Sequence, residues 1–558
     1  MTTLSGFLGF TLLQIVVICA VLVALCDLCK RLFGLDELLA FCAAVFSLGA
    51  LGYAAFWLAF ASYPVFGTVK IVLLAALLIY FGWIAWRRRL GEYRWLAEPL
   101  LFTVLFFVAV LALGFSAGGI DDPVLTARAR FSQLMPEDNI LPYIVAMELR
   151  AGHINSPMVG DWLSSDRPPL QTGLYLLLVL RHHSVAYQIV ASFLQATFLF
   201  GAWGMAVAAA LPLPARRLVM LACCLLPPTI LNTFYTWPKL LGVGYLLLAF
   251  ALLFSPRPPD EPRAATGILI GGLAALAVLC HGSSAFALIG FAIAVALFWA
   301  WPSLKTMICG AATLLALYVP WIFYQQVIDP PGNRLLKWHL AGVIDIDQRG
   351  LLTTLRDSYA ALPWPDYLAG KLENVKVLIG TWPGNLAEIA RLVAGDASIA
   401  PAVRIADFFQ FLPSLHVFSL ALIVALVLLP FMRAEQRPQR DFALRIFVAL
   451  VAIFTGFVIV VFIPGQTINH VGTYASHVMV AVFAFTVLSL RAPALALVFI
   501  GLQTITVSAA YVFVLAHDPK VWPIWAVGIA ATAALFVYAL APTWARWRRR
   551  RGAQPVTG

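Results

Sequence analysis

Apolar runs of about twenty residues recur along almost the whole chain, each long enough to cross a hydrocarbon slab of ~30 Å as a helix. They are continuous Leu/Ala/Val/Phe stretches, without the alternation that a membrane barrel requires. Spans are predicted at 7–29, 37–60, 67–86, 97–116, 186–210, 216–232, 239–255, 265–280, 283–301, 305–326, 413–431, 441–463, 472–490, 493–515 and 522–541, about fifteen in all. The expected fold class is an all-α polytopic membrane protein with two long loops, 117–185 and 327–412, containing short interfacial helices. A further apolar segment at 168–180 has only ~13 residues and is too short to cross, which suits a helix lying along or dipping into the outer interface.

Composition narrows this further. Of 558 residues, 62% are hydrophobic and 11% charged, which excludes a soluble core. The net charge of +11 does not imply nucleic acid, because the basic residues sit in short clusters beside the spans, as topology signals do. These are Lys30-Arg31, Arg87-Arg88-Arg89, Arg216-Arg217, Arg257 with Arg263, Lys305, Arg433 with Arg437 and Arg440, Arg491, and Arg546 with Arg548 to Arg551. If all are cytoplasmic, the spans alternate without a clash, the N-terminus lies outside, the C-terminus inside, and both long loops are external. The eight cysteines lie in or beside predicted spans, so no disulfide framework is expected, and Cys26-x-x-Cys29 lacks the second pair a metal motif needs. No cleavable signal is expected, since the first apolar run is too long and has no basic n-region.

Against this background the loop 117–185 stands out. It holds seven carboxylates (Asp121, Asp122, Glu137, Asp138, Glu148, Asp161 and Asp166) and the basic residues Arg128, Arg130, Arg150, Arg167 and Arg181. Charge at a membrane face and away from lipid marks where water and substrate meet protein. Glu137-Asp138-Asn139, then Pro142 and Gly152, spell a short capped helix, so Asp138 reads either as an N-cap or as a carboxylate able to take a proton from a hydroxyl. Asp121-Asp122 are the alternative holders of that role, or a solvated helix end. Asp166-Arg167-Pro168-Pro169 resembles a helix start with Pro at its first position, which would place Arg167 where exposed N–H groups add to its attraction for an anion.

The order of motifs in this loop resembles a known family. Asp138, Tyr143, Ala146, Leu149 and Gly152, then Gly160-Asp161-Trp162-Leu163, then Asp166-Arg167-Pro168-Pro169-Leu170 are similar to the first external loop of the membrane-embedded GT-C glycosyltransferases. The similarity is to their aminoarabinose transferase and protein O-mannosyltransferase branch. It continues at 191–217, at 267–284 with Cys280-His281-Gly282, and at 470–480, covering 98–300 well and 440–490 weakly. The family implies a GT-C-like core at 97–326, the large external loop 327–412, and C-terminal helices with a basic cytoplasmic tail at 413–558. Residues 1–96 are then an added three-helix module.

The resemblance implies an enzyme that moves a sugar from a polyprenyl-phosphate donor to an extracytoplasmic acceptor such as lipid A, O-antigen, wall glycan or protein, with inversion. The expected setting is the periplasmic face of a bacterial inner membrane, and the partners are the lipid-linked sugar, a cell-envelope acceptor and the bilayer. Asp138 takes the role of the family's opening Asp, in catalysis or acceptor placement. Arg167, with Asp166, falls where a basic residue contacts the donor phosphate, and His281 falls on the Lys of the family's Thr-Lys-Gly turn. Lys239, after Trp237-Pro238, stands where the aminoarabinose branch has an intramembrane Asp, and the family Arg just after the opening Asp is missing here. Donor-phosphate contacts are therefore expected from Arg167, Asp166, His281, Lys239 and Arg181, or the His182-His183 pair. Acceptor or substrate contacts are expected from Glu137, Tyr143, Asp161, Arg334, Lys337, His470 and Tyr474. His470, Tyr474 and His477 share one helical face, and 333–339 is basic and aromatic. No tight ligand spacing compels a metal site, although acidic residues leave a divalent Mg or Mn ion open. The competing readings are a polysaccharide polymerase or ligase, which would use a lipid-linked glycan chain as donor, and a lipid-linked sugar flippase or transporter, which would carry charge within many spans.

Overall fold

The computed structural model describes residues 4–132, 134–256, 263–462 and 474–552, with side chains described up to residue 545. Among these residues the chain is helical, with one isolated bridge pairing Val159 and Trp162. Ten helices are long and apolar enough to cross a membrane. The pair Leu213–Cys224 and Pro227–Tyr235, bent by 61°, gives an eleventh, and Lys239–Phe254, Ser284–Leu297, Phe418–Phe431 and Ala475–Arg491 are shorter apolar helices. Each predicted span therefore has a helical counterpart, with ends displaced by a few residues. The chain is an all-α polytopic membrane protein.

The bend has a local cause. Pro227 and Pro228 have no N–H to donate, so the carbonyls before them lose their helical partners. Inside a bilayer such groups must be satisfied by protein. Thr229 Oγ1 donates to Cys223 O (3.0 Å) and Leu226 O (2.8 Å), and Gln503 Nε2 donates to Leu225 O (3.0 Å). A second break follows at once: Thr236 adopts a left-handed conformation (φ 62°), and the chain restarts as a helix at Lys239. Trp237 and Lys239 thus project from a gap between helices.

The two long loops meet on one face, where Asp329 and Arg334 of the second contact Ser164 and Asp161 of the first. Basic clusters gather at the other face. Arg31 and Arg89 both pair with buried Asp27, and Arg216 pairs with Glu98 at 2.7 Å.

The segment expected at the interface lies elsewhere. Helix Leu170–Leu178 is buried along its whole length, packed against Glu37–Ala61. Two glycines permit this approach: a Cβ on Gly173 would fall on the carbonyl oxygen of Gly52, and one on Gly52 would meet the side chain of Leu174. Its last carbonyls are satisfied from the N-terminal helices, by Gln14 Nε2 on Leu178 O (2.8 Å) and Lys70 Nζ on Val179 O (2.6 Å). A short apolar segment reads alike whether it faces lipid or protein, and here the small-residue contact and the polar caps draw it inside.

Candidate active site

The chain around Asp138 departs from the expected capped helix. Glu137–Ile140 forms a tight turn, Leu141–Ala151 follows, and Ile140 rather than Asp138 holds the position before that helix. The Asp138 carboxylate, 1% exposed, turns inward instead. It pairs with Arg167 Nη2, accepts from Trp237 Nε1 at 3.0 Å, and lies 3.1 Å from the Tyr235 hydroxyl, which also reaches Pro136 O at 2.7 Å.

Arg167 follows the short turn Ser164–Asp166 in extended conformation, so the expected helix start lies three residues later, with Pro169 before Leu170. Its guanidinium lies over Trp162 (4.5 Å to the ring centre) and near Trp237 (5.7 Å). Nη1 is 3.3 Å from His281 Nε2, and the buried Nε makes no hydrogen bond. The turn is held from both loops. Asp166 accepts from Leu163 N (2.9 Å) and Arg334 Nη1 (3.2 Å). Asp329 Oδ2 accepts from Ser165 N (2.9 Å), Ser164 Oγ (2.5 Å) and Ser156 Oγ (3.1 Å), while Gln325 Nε2 donates to Ser165 O (3.0 Å). Burial raises the Asp166 carboxyl above its ordinary range, outweighing the Leu163 N–H and the Arg334 and Arg167 charges.

Lys239 completes the inner end. Its side chain is fully buried, and among the described residues Nζ makes no hydrogen bond; it sits 3.1 Å above the Trp237 ring and 5.6 Å from that of Tyr474. Trp237 is braced on its other side by Phe408 of the second loop, stacked at 6.1 Å. Behind Phe408, Asp407 bonds His416 Nε2 (2.8 Å) and the Tyr511 hydroxyl (2.7 Å), which fixes helix Ala400–Phe409. A cation–π contact is worth roughly 0.5–2 kcal/mol, whereas burying an ammonium group costs several. The ring alone does not offset that cost. Arg167 and Lys239 set two basic groups against one carboxylate, an arrangement that an anion entering between them would complete.

The other expected site residues divide. Asp161 and Arg334 adjoin the cluster: Arg334 Nη1 donates to Asp161 O at 2.6 Å, Nη2 pairs with the Asp161 carboxylate, and the guanidinium lies 5.7 Å from the Trp162 ring. Tyr474 lies beneath Lys239, and His470 lies outside the described residues. Asp121 and Asp122 are exposed, and Asp122 caps helix Pro123–Ala129 by accepting from Leu125 N at 3.0 Å. Glu137 is exposed and pairs with Arg128, Arg181 is exposed, and Tyr143 packs against Tyr187 and Tyr175 at 5.4 and 5.9 Å. No hydrogen bond or ion pair among the described residues joins these side chains to Arg167. Lys337 is buried, with Nζ donating to Asp347 O (2.5 Å) and Arg349 O, a role that closes its own loop. His183 caps helix Ser184–Ala196 through Ala186 N (3.0 Å), and His182 meets Tyr63 (3.0 Å). Tyr235, Trp237 as a donor, Asp329 and Phe408 were not anticipated. For Trp237 and Tyr235 the Trp-Pro break was the available signal; for Asp329, 165 residues from Ser164, there was none.

Among the described residues no three His, Cys, Asp or Glu side chains converge as a metal shell. Asp138 is taken up by Arg167, Trp237 and Tyr235, so the cluster does not fit a hard cation, and no step is assigned to one.

Burial, together with Lys239 and Arg167, lowers His339 to about 4, and burial lowers His182 to about 4 as well. For a histidine lowered from 6.5 on folding, the stability it contributes is complete above pH 6.5 and drains away as pH falls toward 4, because the unfolded chain takes up the proton first. Thermal unfolding in detergent should therefore move to lower temperature between pH 6.5 and 4. His339→Gln should flatten that slope in part and leave the share due to the other buried histidines, His182 and His183 among them.

No protein-family model matches the chain, and no curated protein matches it. Among solved structures, that of ArnT from Cupriavidus metallidurans bound to undecaprenyl phosphate aligns with 80% of this chain and 72% of that chain, at 15% identity and a TM-score of 0.44. Likeness at that level decides neither fold family nor activity, and the functional reading rests on the side chains described above.

Proposed function

We propose that this protein is a membrane glycosyltransferase that moves a sugar from a polyprenyl-phosphate donor to an acceptor hydroxyl on the face of the two long loops. The supporting observation is the buried Asp138–Arg167 pair beside Lys239, an amine with no hydrogen bond among the described residues. Glycosyl transfer builds negative charge on the departing phosphate, and preorganised cations in a water-poor site stabilise that charge strongly. Arg167 is such a cation, Lys239 is a second basic group over the same Trp237 ring, and the neighbouring His281 Nε2 is a further polar contact.

The phosphate competes with Asp138 for Arg167. As the guanidinium turns to the phosphate, the carboxylate is released to the acceptor. The acceptor oxygen then attacks the anomeric carbon, the bond from that carbon to the phosphate oxygen breaks with its electron pair staying on the phosphate, and the acceptor proton passes to Asp138. The outcome is inversion. By the distribution of basic clusters the site faces the non-cytoplasmic side, and the family resemblance implies the periplasm of a bacterial inner membrane and a cell-envelope glycan or lipid as acceptor.

The test is transfer in proteoliposomes from a panel of radiolabelled polyprenyl-phosphate sugars to supplied acceptors. Release of polyprenyl phosphate with label appearing in the acceptor supports the reading. Donor that crosses the membrane unchanged identifies a flippase, and donor consumed only when it carries a glycan chain identifies a polymerase or ligase.

A further inference from the structure

Helix Trp364–Ile379 of the second loop carries three distinct strips. At ~100° per residue, Trp364, Leu368, Leu372 and Ile379 fall within an arc of roughly 80°, and they are 68, 49, 56 and 44% exposed. A second strip faces the protein: Lys371 Nζ donates to Val461 O (2.8 Å), and Asn374 Nδ2 donates to Val461 O (2.9 Å) and Val458 O (3.2 Å). A third strip is exposed and charged, with Asp366, Glu373 and Lys376, the last two ion-paired. A helix resting on protein with the remainder in water has no use for a separate apolar strip. One bounded by protein, water and lipid needs all three.

The inner strip fixes the depth. Val458 and Val461 close helix Arg437–Val460, whose opposite end carries Arg437 and Arg440. Its 24 residues span ~36 Å at 1.5 Å each, against a hydrocarbon core of ~30 Å. The carbonyls that hold Lys371 and Asn374 therefore lie at the hydrocarbon boundary. At the same level Ile459 and Val460 are 54 and 39% exposed on the lipid-facing side of that span, and the apolar strip continues their surface. Trp364, stacked on Tyr367 (5.3 Å), suits the headgroup level, where aromatic rings with one polar edge collect.

We infer that helix Trp364–Ile379 is embedded in the leaflet on the site face, with Trp364, Leu368, Leu372 and Ile379 in the acyl boundary and the charged strip in water. Its partner is the bilayer surface itself. Leu412 N bonds Leu378 O at 3.0 Å, so the end of this helix is tied to the segment that follows Phe408. The membrane surface thereby steadies the wall against which Trp237 stacks. The placement in the leaflet does not depend on the glycosyltransferase reading.

The test uses full-length protein in liposomes with nitroxide labels at single introduced cysteines, after the half-buried Cys19 and Cys309 are changed to Ser. Labels at 368 and 372 should be relaxed several-fold more by oxygen than by a water-soluble nickel chelate, and labels at 366 and 373 should show the reverse. Chelate dominance at 368 and 372 would place the strip in water, and access to neither reagent would place it under protein; either overturns the inference. As an independent readout, the fluorescence difference between wild type and Trp364→Phe should be quenched by brominated lipids. An unquenched difference would also overturn it.

Discussion

In liposomes carrying an accepted donor, Asp138→Asn should lose transfer by about 10²–10⁴-fold, the usual contribution of a positioned general base. Arg167→Ala should lose at least about 10²-fold, the cost of removing one preorganised contact to a developing anion. The geometry explains why the two losses differ in kind. With Asn at 138, the amide oxygen still accepts from Trp237 Nε1 while Tyr235 keeps Pro136 O as its acceptor, the fold is kept, and Arg167 remains available to the phosphate. Donor binding should then persist while turnover stops. Arg167→Ala removes the phosphate contact and strands the Asp138 carboxylate in a buried position, a change that costs ~3–5 kcal/mol when one partner of a buried pair is lost. Arg167→Lys is the control for folding. It retains the charge but cannot span both Asp138 and His281 as the guanidinium does, so partial activity in a stable protein is expected. Turnover surviving both Asp138→Asn and Arg167→Ala would remove this cluster from the chemistry.

Lys239→Met should act in opposite directions on stability and function. An amine buried without a hydrogen bond is a cost to the folded chain, and a methionine of similar length fills the same space over Trp237 without it. Removing an unsatisfied buried polar group relieves a desolvation cost of about 1–3 kcal/mol. Unfolding of the Lys239→Met protein should therefore occur at higher temperature than that of wild type. Added polyprenyl phosphate should raise the wild-type transition, as any ligand of the native state does, and raise that of the variant much less. A variant that starts lower, or that gains as much from the lipid phosphate, would mean that Lys239 serves packing alone.

The spans were legible because hydrocarbon imposes one simple requirement, a run of apolar residues of known length, and among the described residues ten helices and one bent pair meet it, with four shorter apolar helices beside them. What the pattern could not say is which apolar surface meets lipid. Segment 168–180 has the same composition as its neighbours, and its interior position depends on Gly52, Gln14 and Lys70, residues more than a hundred positions away. The site shows the same division. Asp138 and Arg167 could be named from charge in a loop, but the N-cap alternative for Asp138 fell only once the turn Glu137–Ile140 displaced the helix start. Lys239 was visible as a basic residue in an apolar run; its lack of a hydrogen-bond partner among the described residues is a property of the packed interior and leaves no trace in local sequence. Arg334 and Lys337 look alike on one short helix, yet one joins the two loops and the other closes a loop on itself.

The contact between Gly52 and Gly173 has a mechanical meaning. Helix Leu170–Leu178 begins three residues after Arg167, and its position against Glu37–Ala61 sets how far that guanidinium reaches toward Asp138 and His281. Helix Glu37–Ala61 is then a backstop for the segment that carries Arg167. A single methyl group added at residue 173, deep in apolar packing, would push on the Arg167 guanidinium as surely as a change beside the Asp138 carboxylate itself.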